Sequence, residues 1–140
     1  MPDVSPTPRE LEALKVLWSQ GPSTVREVYQ GMKPRRKEMA YTTVLSLLQT
    51  MEQKGMVGHE SAGKAYAYHA KVRREPVFRK LAKGFLDEVF DGAVGEYVAR
   101  ALQSRKPSVA ELEELETMIA EAKKAAQARD KNGGTADDQA

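Results

Sequence analysis

The chain contains no cysteine. Disulfides, thiolate metal sites and a cysteine nucleophile are therefore excluded. Histidine is nearly as scarce, with only His59 and His69 present. No apolar run approaches the roughly 18 residues that a membrane-spanning helix needs, so no membrane partner is expected. The opening MPDVSPTPRE has no basic region followed by an apolar core and does not read as a signal peptide. A soluble, cytoplasmic protein is the default expectation. A glycine-rich phosphate loop, a nucleophile motif and an HExxH zinc signature are also missing. No catalytic residues, no metal ligands and no cofactor are therefore expected. The two histidines fall in one predicted hairpin, where they could face each other as a metal pair. Polar surface histidines are the simpler reading.

What is present suits one compact domain, or a small domain joined to an interaction segment. The chain has 140 residues, 41% of them hydrophobic and 30% charged. A net charge of +2 conceals an asymmetry. Residues 1–74 hold 12 Lys/Arg against 7 Asp/Glu, and residues 75–140 hold 10 against 13. A basic front and an acidic rear suit a nucleic-acid module attached to something else.

The stretch from Ala40 to Gly55, AYTTVLSLLQTMEQKG, organises the rest. As a helix it has an apolar stripe of Val44, Leu47, Leu48 and Met51. Its other face carries Thr42, Thr43, Ser46, Gln49, Thr50 and Gln53. Hydroxyl residues are mediocre helix formers, because they compete for the backbone or stiffen χ1. A helix that meets only water is better served by Glu, Lys, Arg or Ala. Short hydroxyls and amides do suit a helix in a DNA major groove, where they reach phosphates and base edges.

Thr7-Pro8-Arg9-Glu10 is a helix start with a capping box, and Gly21-Pro22 ends that helix, so its span is about 8–20. Thr24-Val-Arg-Glu27 opens a second helix near 24–32. Lys33-Pro34-Arg35-Arg36-Lys37 follows, with four cations in five residues. Arg35, Arg36 and Lys37 precede the hydroxyl-faced helix and can meet the phosphate backbone. After Lys54-Gly55 the period changes. Val57–Glu60 and Lys64–Ala70 flank a turn at Ser61-Ala62-Gly63, which predicts a β-hairpin with Lys64 at its tip.

Three helices and then a hairpin is the order of a winged helix-turn-helix. The fold class expected is mainly α with that small hairpin, followed by a three-helix dimerisation region. Phe78, Leu81, Phe85, Val89 and Phe90 line the first rear helix, about 75–91. Gly84 inside it suggests close approach of a neighbouring backbone. Tyr97, Val98 and Leu102 mark a short second helix, and Leu112, Leu115 and Ile119 the seam of a long third. That third helix opens with a capping box, Ser108-Val-Ala-Glu111. So few residues bury so many large side chains poorly on their own, and a symmetric partner solves the problem. The expected division is 1–73 for DNA binding, 74–129 for dimerisation and 130–140 as a disordered tail.

These residues resemble the penicillinase-repressor family of winged-helix regulators (the BlaI/MecI/CopY group). The resemblance rests on TPRELEALKVLW at 7–18, TVREV at 24–28, AYTTVLSLL at 40–48, KGMV at 54–57 and GKAYAY at 63–68. It covers about residues 5–125. It implies a homodimeric repressor on a palindromic operator in double-stranded DNA. Tyr41, Thr42, Thr43 and Ser46 would read or hold DNA, with Gln49 beside them and the wing at Lys64. The chain departs from the family at three places. Thr50 stands where members often carry arginine. The C-terminal cysteine cluster of the copper-responsive branch is missing. The bond matching the one cut by a regulatory protease in the β-lactam-responsive branch is Arg100-Ala101 rather than Asn-Phe, so this is only a candidate cleavage region. Two rival readings are a protein-binding winged-helix adaptor and a regulator that senses a small ligand in its helical bundle. An adaptor should offer exposed aromatics or leucines on the helix where this chain has hydroxyls and amides.

Overall fold

The computed structural model describes residues 5–33 and 39–137, with side chains through Asn132. Among these residues the order is α1 (Pro8–Gln20), β1 (Ser23–Thr24), α2 (Val25–Met32), α3 (Tyr41–Gln53), β2 (Val57–Ala62) and β3 (Ala65–Ala70). It continues through α4 (Arg74–Phe90), α5 (Val94–Arg105) and α6 (Val109–Asp137). The fold is mainly helical, with a three-stranded antiparallel sheet in the order β1-β3-β2. This is a winged helix-turn-helix followed by further helices.

Local pairs of hydroxyl and carboxylate set three helix starts. The Glu10 amide donates to Thr7 Oγ1 at 3.2 Å, and the Thr7 amide donates to Glu10 Oε1 at 2.9 Å. Thr24 with Glu27, and Ser108 with Glu111, repeat the exchange. Each pair satisfies two amides, one of them among those a helix's first turn leaves without a partner.

The core lies between α1, α2, α3 and the sheet. Leu14, Val28, Met32, Val44, Leu48 and Met51 are at most 1% exposed. Each such side chain contributes about 1.5–3 kcal/mol when fully removed from water. Helices α1 and α2 approach closely at Gly31, where an added Cβ would lie 2.8 Å from Val16 Cγ1. Behind this core, Trp18 Nε1 donates to the Val72 carbonyl at 2.9 Å. The Trp18 ring stands edge-on to Phe78 at 5.8 Å, and Val77 is buried.

The chain divides into two compact units, one ending at Gly92 and the other beginning at Ala93. The joint carries two residues in the left-handed region, Asp91 (φ 51°) and Gly92 (φ 81°). In the second unit no described side chain is buried. On α5, Val98 is exposed, and on α6, Leu112, Met118 and Ile119 are exposed.

Several expectations are corrected. The hairpin turn is not Ser61-Ala62-Gly63. Ala62 pairs with Ala65, so the loop is Gly63-Lys64, which starts two residues later and is one residue shorter. Gly63 has φ 68°, the positive angle that a two-residue turn between twisted strands requires at its first position. The two histidines, for which a facing metal pair is the lesser alternative, do not face each other. His59 pairs with Tyr68 and His69 with Gly58, so the pleat sends their side chains to opposite faces. Among the described residues of this chain no neighbour approaches Gly84, where an added Cβ meets nothing within 4 Å. Helix α6 spans Val109 to Asp137. Once a helix is nucleated, each further residue adds a hydrogen bond, which lets an alanine-rich helix run into polar sequence.

Candidate nucleic-acid interface

Helix α3 separates its two chemistries cleanly. Val44, Leu48 and Met51 are buried. Tyr41, Thr42, Ser46, Gln49, Thr50 and Gln53 are exposed, and Thr43 is half-buried. The helix begins at Ala40, which has no side chain to cap the first turn. The first-turn amides therefore stand beside the Thr42 and Thr43 hydroxyls without a side-chain cap. An uncapped helix start of this kind favours negative charge.

One salt bridge and one histidine–carboxylate hydrogen bond hold the C-terminal half of α3. Lys54 Nζ donates to Glu10 Oε2 at 2.7 Å, which ties the helix end to the start of α1. Glu10 is 2% exposed. Burial alone would raise its pKa, but the Lys54 ammonium and the Thr7 amide outweigh that and hold it below the usual carboxylate range. On the opposite side, His59 Nδ1 lies 2.7 Å and 2.8 Å from the two Glu52 oxygens, which ties β2 to α3. The His59 ring contacts Tyr66 at 4.8 Å and Tyr68 at 5.4 Å. Burial pushes the Tyr68 phenol pKa up, and the negative Glu52 adds to the effect.

Between α3, the hairpin and the start of α2 lies an open cleft of about 800 Å³. Three candidates from the sequence line it together: Tyr41 and Gln49 on α3, and Lys64 in the hairpin turn. Thr42 and Ser46 occupy the exposed side of the same helix. Arg35, Arg36 and Lys37 lie outside the described residues. Sequence reasoning missed Arg26, Glu52 and Tyr66 as cleft residues. Arg26 sits inside the second capping box, so its local signal is that of a helix start, and only the packing of α2 on α3 brings it to the cleft. Tyr66 and Tyr68 alternate with Ala65, Ala67 and His69 and share one face of β3, where Tyr68, nearer the core, is 4% exposed and Tyr66, nearer the turn, is 56% exposed.

The apolar candidates in the rear helices divide. Phe78 is half-buried against Trp18, with the Arg74 guanidinium 4.6 Å from its ring centre. Phe85 and Val89 are about half exposed at 49% and 54%, with Phe85 edge-on to Phe90 at 6.0 Å. Leu81, Tyr97, Leu102 and Leu115 are partly exposed. Arg100 and Ala101 are exposed on α5. Among the described residues no group of acidic or histidine side chains is arranged to hold a metal ion, and no helix is long and apolar enough to cross a membrane.

The penicillinase-repressor family profile matches residues 6–121. The chain is similar to a penicillinase repressor of Staphylococcus aureus, 19% identical over 110 residues that cover 79% of this chain and 86% of that one. Among solved structures it is similar to the DNA-binding domain of the repressor BlaI, with a TM-score of 0.45 and 22% identity. That match covers 52% of this chain and 85% of the other. It is also similar to a MarR family protein from Bacillus stearothermophilus, with a TM-score of 0.47, 21% identity, and 89% and 78% of the two chains covered. A profile match spanning most of the sequence, on a winged helix with an open hydroxyl face, places the chain in the penicillinase-repressor family, whose members are DNA-binding transcriptional repressors and not enzymes.

Proposed function

We propose that two copies of this chain bind a palindromic operator and repress transcription sterically. Helix α3 of each copy enters the major groove, with Tyr41, Thr42, Thr43, Ser46 and Gln49 facing DNA. Arg35, Arg36, Lys37 and the wing residue Lys64 meet phosphates. The observation that carries this reading is the solvent-open hydroxyl and amide face of α3, opposite the buried Val44, Leu48 and Met51. The same face argues against a protein-binding adaptor, because apart from Tyr41 its exposed positions hold hydroxyls and amides rather than aromatics or leucines.

Pairing runs through the rear helices. Phe85 and Val89 are exposed on α4 of the first unit, and Val98 on α5 with Leu112 and Ile119 on α6 are exposed in the second; each set offers apolar side chains for a second copy to cover. Two half-sites then lie about one helical turn, roughly 34 Å, apart. Linking two weak contacts raises affinity without new contacts, so dissociation of the dimer releases the operator. An inducing signal relieves repression in the cytoplasm. The Arg100-Ala101 bond on exposed α5 is the position for a regulatory protease, because a cut there detaches α6 from the rest of the dimerisation surface.

Selection of genomic fragments bound by the purified chain tests this reading, alongside sedimentation of the free protein. A recovered inverted repeat and a dimer at micromolar concentration are expected. A monomer, or salt-sensitive binding with no sequence preference, would refute it.

A further inference from the structure

In duplex DNA a single sugar–phosphate strand forms the ridge between neighbouring major and minor grooves. A protein that lays a helix in the major groove and sets a wing beyond it must leave room for that ridge between the two elements. Here the room is the open cleft of about 800 Å³ between α3 and the hairpin. Its third wall is the start of α2, which belongs to neither element and carries Arg26.

Arg26 is held in place without being neutralised. Its guanidinium carbon lies 5.5 Å from the centre of the Tyr41 ring, and that ring stands edge-on to Tyr29 at 5.9 Å. The neighbouring carboxylate, Glu27, is turned back to cap α2 at Thr24. No carboxylate among the described residues pairs with Arg26. A cation over a tyrosine face is attracted by the ring quadrupole even at an exposed site. That is enough to narrow the rotamers of a long side chain and leaves its charge intact. Guanidinium is also the group best matched to phosphate oxygens, through two parallel N–H donors.

We propose that Arg26 is a phosphate contact. It clamps the sugar–phosphate strand that passes through the cleft between α3 and the wing, and Tyr41 positions it. This inference rests on the DNA-binding reading above and extends it to a residue on α2. A phosphate clamp sets register and affinity but carries no base information.

The test uses the full-length chain and two labelled duplexes of about 30 base pairs, which comfortably spans two half-sites. One duplex carries the selected operator and the other random sequence, and binding is followed from 50 to 200 mM salt. R26A removes one phosphate contact in each of the two copies, so it should weaken both duplexes alike and lower the slope of log K against log salt by about 1.8. R26K should retain that slope. With methylphosphonate placed one position at a time across a half-site, the wild type should lose affinity at the ridge phosphate and R26A should lose nothing further there. Arg26 is exposed, so matching thermal melts confirm that the variants fold, and R26Q substitutes for R26A if they do not match. Unchanged affinity and slope in R26A, or an altered base preference, would overturn the proposal. Wild-type protein that binds neither duplex would overturn the DNA-binding reading itself, before any variant is compared.

Discussion

Glu10→Gln isolates one interaction that holds the end of α3 in place. Glutamine keeps the shape of the side chain and an oxygen for the Thr7 amide. It removes the negative charge that accepts from Lys54 Nζ at 2.7 Å. A hydrogen bond to a charged group contributes about 1.5–3 kcal/mol. The Lys54 side chain is 46% exposed, so water recovers part of its hydration and the expected loss is about 1–2 kcal/mol. Trp18, the sole tryptophan, lies in the same unit and reports unfolding by fluorescence. The urea midpoint should fall by roughly 0.5–1 M at unchanged m, taking m as about 2 kcal/mol/M. The pH dependence gives a second check. Glu10 has a depressed pKa in the folded chain, so its contribution is present above the ordinary carboxylate value of about 4.3 and is lost as pH falls through the folded value. The gap between wild type and variant should be full at neutral pH and should narrow in acid. Equal midpoints at neutral pH, or a gap that persists undiminished in acid, would refute the reasoning.

Phe85→Glu should convert the dimer to monomer in sedimentation at micromolar concentration and weaken operator binding about 100-fold, since the two linked half-sites are lost; an unchanged mass would remove Phe85 from the interface. Gly84→Ala meets nothing in its own chain and in isolation would favour α4 by about 1 kcal/mol. If a second copy approaches there, dimer dissociation should instead increase, and a tightened dimer would argue that α4 does not pair at that point. Glu52→Gln removes a negative charge from the cleft. At about 6 Å in water one such charge opposes a phosphate by about 0.7 kcal/mol, so with one in each of two copies affinity for any duplex should rise about tenfold. Unaltered binding in a shift assay would place the phosphate strand elsewhere.

The parts of this fold that were legible in the sequence are those specified locally. Three capping boxes announce helix starts because both partners lie within four residues. The Val44, Leu48, Met51 stripe reads directly from its spacing. Strand β1 was missed because it is only two residues long, and it exists only through pairing of Ser23 with Tyr68, far along the chain. The position of the hairpin turn was misjudged because the small residues Ser61 and Ala62 resemble a loop, yet they extend the ladder as far as Ala65. The hydroxyl face of α3 was legible as composition. The cleft was not, because it forms only when α2, α3 and the hairpin close around a shared core. For the same reason Arg26 gave no sign of its position.

The His59–Glu52 clasp has a consequence for how a duplex is measured. It fastens the wing to the penultimate residue of α3, so the two travel as one piece with a fixed gap between them. A fixed gap behaves as a caliper. Duplexes whose backbone-to-backbone spacing departs from that gauge must deform to fit, and the deformation energy depends on sequence. On the proposed reading, base pairs that no side chain touches therefore still influence which operators are held.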